Sequence, residues 1–291
     1  MRNMQKISFT TSTSGTVEAD DVNISSLNGE RIFRLSDFDG NSVKARIDAV
    51  QCIGMPGQRT FSAVSDVKTI MMKLAFAPVY LRNNRFVCTG AAGMHTLRRE
   101  VLRRFPIGET GTLDYTNSTG TYTIQARVDE VPTVTMQDGY LCECTIYLTA
   151  DYPYWCKPVT SEIVTVSGGT HIFSPPEYGD IPSPVSGWIR CSERFISTAE
   201  ICFSLINTDD NTKRIDFDNL LLEGDFLRFN FRYNNEWYVK VNGYRRSDFV
   251  YFSEYSEPCI NIPDQSSFRF EMNGTGVFEI QLIYNNLFIA V

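Results

Sequence analysis

Tight-turn dipeptides recur along the whole chain, and between them lie short runs that alternate apolar and polar residues. Asn28-Gly29, Asp39-Gly40, Asn83-Asn84, Asp138-Gly139, Gly168-Gly169, Asn242-Gly243, Asn273-Gly274 and Asn285-Asn286 all supply residues that tolerate positive φ, as close hairpins require. The intervening period is two. Val43, Ala45 and Ile47 alternate with Lys44, Arg46 and Asp48, and Ile70, Met72, Leu74 and Phe76 alternate with Thr69, Met71, Lys73 and Ala75. Tyr122, Ile124, Ala126 and Val128 repeat the pattern. Such runs are half-buried strands, so the chain is expected to be mainly β and antiparallel.

One segment departs from this period. In Met94–Phe105 the apolar residues Met94, Leu97, Val101, Leu102 and Phe105 share one helical face. The opposite face carries Arg98, Arg99, Arg103 and Arg104, with Glu100 placed for an i,i+4 pair with Arg104. Pro106 and Gly108 end the helix. The arginines read either as a solvated helix face or as a candidate subunit interface that meets an acidic neighbour.

With 291 residues, the chain is longer than one typical domain, and two are expected. The boundary falls where Tyr152-Pro153-Tyr154-Trp155-Cys156-Lys157-Pro158 closes one region and an alternating run opens at Ile163, giving domains 1–158 and 159–291. Of the 37 Phe, Trp and Tyr residues, 22 lie in 160–291, a content that suits a β-sandwich or jelly roll there. Charge divides similarly: residues 1–158 hold 17 Lys and Arg against 16 Asp and Glu, while residues 159–291 hold 10 against 18. The net −7 runs against a protein that grips nucleic acid through its phosphates. The N-terminal residues lack the apolar core of a secretory signal, and no stretch approaches the ~18 apolar residues that span a bilayer. A soluble chain made in the cytoplasm, with no membrane insertion, is expected, and its eight cysteines then read as free and mostly buried thiols.

Catalytic groups are not legible. Cys142 and Cys144 sit two apart on one strand face, but beside Ile146 and Leu148, and no second pair follows to complete a metal site. The only histidines, His95 and His171, stand in no nucleophile–base motif. Gly54-Met55-Pro56-Gly57 lacks the Lys and Ser/Thr of a phosphate loop. No enzyme activity, cofactor or metal is expected. Trp188, Trp237, Tyr238 and Tyr233 are candidates for contact with a partner or for stacking against sugar, with core packing as the plainer reading.

The order of segments carries more. MHTLRREVLRRFPIGETGTLDY with GTYTIQARVDEV, CECTIYLTADYPYW, PPEYGDIPSPVSGWIRC, and LLLEGDFLRFNFR…WYVKVNG with FRFEMNGTGVFEIQLIYNNLFIAV resemble, in that order, the distal tail protein (Dit) family of long-tailed phages. The first resembles the family's basic helix, glycine-punctuated turn and strand pair. The second resembles the aromatic Asp-x-Pro-Tyr element that closes its N-terminal domain, and the third its Gly-Asp-x-Pro entry to a galectin-like C-terminal domain. Residues 1–40 match the family poorly.

The resemblance implies an N-terminal β-barrel or sandwich domain with one amphipathic helix, followed by a galectin-like β-sandwich. It further implies a homo-oligomer, a hexameric ring at the virion tail tip assembled in the host cytoplasm. That ring would join tail-tube protein to a tail-tip hub protein, with DNA passing through without specific binding. The outer domain would dock receptor-binding or baseplate proteins. The alternative reading is a carbohydrate-binding β-sandwich that attaches to the host surface.

Overall fold

The computed structural model describes residues 5–20, 25–27, 31–40, 43–50, 59–77, 79–82, 85–88, 90–137, 141–175, 177–181, 183–193, 202–208, 214–218, 221–230, 238–246, 250–252, 261–262, 267–273 and 276–291. Its chain forms two compact units, Met1–Trp155 with Ile289–Val291, and Cys156–Phe288.

The first unit runs β1 (Lys6–Thr11), β2 (Gly15–Asp20), β3 (Ser25–Leu27), β4 (Arg31–Asp39), β5 (Val43–Val50), β6 (Arg59–Phe76), β7 (Val79–Arg82), β8 (Arg85–Cys88), α1 (Gly90–Arg104), β9 (Thr110–Asn117), β10 (Gly120–Val128), β11 (Thr133–Gln137) and β12 (Leu141–Ala150). Its antiparallel ladders run from β1 to β9, β10, β12, β6 and β4. A single parallel pairing, Asp20 with Arg34, carries β4 to β2, and β2 returns to β1. The sheet therefore closes on itself as a barrel.

Alternation fills it. Ile70, Met72, Leu74 and Phe76 of β6, Tyr122, Ile124, Ala126 and Val128 of β10, and Cys142, Cys144, Ile146 and Leu148 of β12 are all buried. Trp155 is fully buried near Phe38 and Tyr115, whose rings stack at 4.6 Å, and its indole N–H donates to the Gly40 carbonyl at 3.0 Å. The helix starts earlier than its apolar spacing indicates, because Gly90–Gly93 contribute a turn that carries no apolar stripe.

The second unit runs from β13 (Trp155–Thr160), which begins at the boundary, through β14 (Val164–Val166), β15 (Gly169–Phe173), β16 (Ser183–Glu193), β17 (Cys202–Asn207), β18 (Arg214–Asp218), β19 (Phe226–Asn230), β20 (Tyr238–Val241), β21 (Tyr244–Arg245), β22 (Val250–Phe252), β23 (Asn261–Ile262), β24 (Phe268–Asn273) and β25 (Val277–Phe288). One sheet has the order β14, β25, β16, β19, β20, β21, and the other β15, β24, β17, β18, β22. Ile189, Leu227, Phe229, Val239 and Ile280 of the first meet Phe173, Ile215, Phe217, Phe268 and Phe270 of the second in one buried core. Phe217 and Phe229 touch across it with ring centroids 5.2 Å apart. This is a β-sandwich.

Asn242-Gly243 forms the expected tight hairpin between β20 and β21, with φ of 51° and 88°. Asn285-Asn286, expected as a turn, instead lies inside β25 with both residues buried. The Asn285 amide donates to the Pro184 carbonyl at 3.0 Å and the Asn286 amide to the Glu177 carbonyl at 2.7 Å. Carbonyl acceptors inside the fold let these amides occupy core positions. Asn28-Gly29, Asn83-Asn84 and Asp138-Gly139 lie outside the described residues.

Candidate interaction surfaces

The helix α1 docks on the barrel through Met94, Leu97 and Val101, followed by Phe105, all buried. Phe105 stacks on Phe9 at 5.6 Å, and the Cys142 thiol donates to the Met94 sulfur at 2.9 Å. That docking fixes where the four arginines point, and they divide. Arg104 turns inward: one guanidinium nitrogen donates to the Ser14 carbonyl and another to Glu100 at 3.4 Å. Ser14 donates through its hydroxyl to Glu109 at 3.0 Å, and Thr13 donates to the same carboxylate. The Thr13 hydroxyl, with help from Thr11 and Ser14, holds the Glu109 carboxyl below the usual carboxylate range. Helix end, β1–β2 turn and the turn after the helix thus form one network. Arg103 reaches outward and pairs loosely with Glu100 at 3.4 Å. Arg98 and Arg99 are exposed and form no ion pair among the described residues.

The cysteines of β12 point into the barrel, and burial pushes the Cys144 thiol up to about 12. His95 is exposed, and His171 stands edge-on to Phe173 at 4.8 Å. Among the described residues, no three His, Cys, Asp or Glu side chains are grouped to hold a metal ion.

On the second unit the pleat turns Leu227, Phe229 and Val239 inward, and so turns Trp188, Phe226, Arg228 and Tyr238 outward. Register brings them together. Trp188 lies opposite Arg228 across β16 and β19, Asn230 lies opposite both Ser186 and Tyr238, and Arg228 lies opposite Lys240. The result is a depression of about 480 Å³ lined by Ser186, Trp188, Phe226, Arg228, Asn230 and Tyr238, among others. Ring contacts and a hydrogen bond brace its floor. Trp188 stacks on Phe226 at 5.2 Å and donates its indole N–H to Gln281 at 2.9 Å. The Arg228 guanidinium lies over Phe226 at 4.9 Å, and the Lys240 ammonium over Tyr238 at 4.4 Å. Gly187 is required beneath: a Cβ there would sit 2.4 Å from the Gln281 carbonyl oxygen of the neighbouring strand.

Two of the sequence-derived aromatic candidates, Trp188 and Tyr238, therefore share one site, while Trp237 and Tyr233 lie outside the described residues. Phe226 and Arg228 were missed as members. The alternation of Phe226-Leu227-Arg228-Phe229 carries the signal that could have placed them on the outer face.

No family model matches the sequence, and no curated protein does. Among solved structures, the chain is similar to the crystal structure of SPP1 Dit, described as a paradigm of the hub adsorption apparatus in phages that infect Gram-positive bacteria. The TM-score is 0.60 at 13% identity, with 97% of this chain and 99% of that chain covered. The structure of the phage P2 baseplate in its activated conformation with Ca also matches, at a TM-score of 0.49 and 11% identity, over 97% of this chain and 98% of that chain. The resemblance to the Dit family read from segment order thus stands at the level of structure: over nearly its whole length, this chain has the fold of the SPP1 Dit protein.

Proposed function

We propose that this chain is a structural, non-enzymatic component of a phage tail tip. The first unit assembles with copies of itself, six in all, into a ring that joins tail-tube protein to the tail-tip hub protein. DNA passes through its centre without specific binding. The second unit presents receptor-binding or baseplate proteins. The observation that supports this reading is the fold shared with SPP1 Dit over 97% of this chain and 99% of that one. Charge supports it too, because a net −7 suits a conduit for DNA rather than a grip on it. Arg98, Arg99 and Arg103, exposed on α1, are our candidates for meeting acidic groups on a neighbouring copy.

Negative-stain microscopy of the purified full-length protein, alone and mixed with tail-tube protein, tests the proposal. Rings with a central opening are expected. A monomer under every assembly condition, with no affinity for tube or hub protein, would overturn it.

A further inference from the structure

We propose that the outward depression on β16, β19 and β20 is a binding site for an anionic saccharide. Three observations converge on that class of ligand. The first is the aromatic floor. Trp188 and Tyr238 line one recess of about 480 Å³, within the size range of small-ligand sites. The apolar face of a pyranose ring packs against such side chains, and their fixed geometry lowers the ordering cost of binding. Trp188 is already held by Phe226 behind it and Gln281 at its indole edge.

The second is polarity. Ser186 and Asn230 lie opposite each other across the β16–β19 ladder, and Asn230 lies opposite Tyr238 on the next strand. An amide and a phenol thus border the aromatic floor, groups suited to sugar hydroxyls, while the buried Ser186 hydroxyl beneath accepts from the Asn285 amide at 3.2 Å.

The third is charge, and it runs against the surroundings. Residues 159–291 hold 18 acidic against 10 basic side chains, yet the described lining of the recess contains Arg228 and no carboxylate. Lys240 stands beside Arg228 across the ladder. Among the described residues neither forms an ion pair, and Glu279 on the same sheet is taken by Arg190 at 3.5 Å. A neutral sugar offers hydroxyl donors that carboxylates commonly accept. A guanidinium fork instead matches a carboxylate or phosphate on the sugar. A long polyanion such as nucleic acid would meet the acidic remainder of the unit, so a short charged stretch of saccharide fits better.

Calorimetric titration of the full-length protein with β-1,4-linked triglucuronate, with neutral cellotriose and with triglutamate tests this. Triglucuronate is expected to bind at about 1 mM or tighter, at least about tenfold more strongly than either control. Arg228→Gln, an exposed substitution, should remove that tenfold preference while leaving the melting temperature unchanged. Trp188→Phe, which keeps an aromatic but loses the indole hydrogen bond to Gln281, should weaken triglucuronate several-fold. Equal or stronger binding of cellotriose overturns the proposal, as does equal binding of triglutamate, which would mark an acidic-peptide surface. No binding of triglucuronate by the native protein overturns it outright.

Discussion

Lys68 occupies a position that belongs to the core. On β6 it falls in phase with Ile70, Met72, Leu74 and Phe76, and it is as fully buried as they are. Its ammonium donates to the Ile289 carbonyl at 2.7 Å and sits 5.6 Å from the centre of the Trp155 ring. Burial lowers its pKa from 10.5 to about 8, with Asp39 pulling the other way. Between those two values the unfolded chain binds more protons than the folded one, so the contribution of this residue to stability grows as pH rises from about 8 toward 10.5. It is lost as pH falls back through 8. The full swing is on the order of 3 kcal/mol. Urea unfolding of native protein and Lys68→Met across this window should show a rise in the native protein that the variant lacks. Parallel profiles would sink the assignment. The sequence shows the alternation of β6 only from Thr69 onward, since a lysine in a buried register looks like a strand's edge. Its acceptor lies at the far end of the chain, where no local pattern points to it.

At the level of the element, α1 shows how one helix face splits between folding and display. Its apolar spacing and its Glu100–Arg104 pair were legible in the sequence because both follow from helical geometry alone. That Arg104 also caps the β1–β2 turn was not, because the Ser14 carbonyl reaches it only through the closed barrel. The division has a measurable consequence. Arg104→Ala should cost about 2 kcal/mol in stability, since it removes charge-assisted bonds from a half-buried network. Arg98→Glu combined with Arg99→Glu should leave stability within about 0.5 kcal/mol, as exposed substitutions usually do, while sharply reducing ring formation seen by sedimentation. Equal loss of stability and assembly in both variants would assign Arg98, Arg99 and Arg104 alike to the fold. β25 carries the opposite lesson. Asn285-Asn286 has the composition of a turn, yet buried carbonyls of Pro184 and Glu177 take both amides, and the strand continues through them.

Across the whole molecule, the class of fold and the helix could be read from period and punctuation, whereas the recess on the second unit could not. Trp188 and Tyr238 are neighbours only because β19 lies between their strands in one register, and register is a property of the assembled sheet. A buried thiol reacts only when its surroundings open, and each unit has its own: Cys142 and Cys144 in the barrel, Cys191 in the sandwich. Among these described cysteines, alkylation at pH 8 followed by peptide mapping should modify half-buried Cys156 first. The core thiols should follow only at the opening rate of the unit that holds them. Assembly through the first unit should slow Cys142 and Cys144 and leave Cys191 unchanged. Core thiols that react as fast as Cys156 would contradict the packing described above. The cysteines thus act as two chemical timers, one for each half of the chain, and reading them side by side shows which half the proposed ring clamps shut.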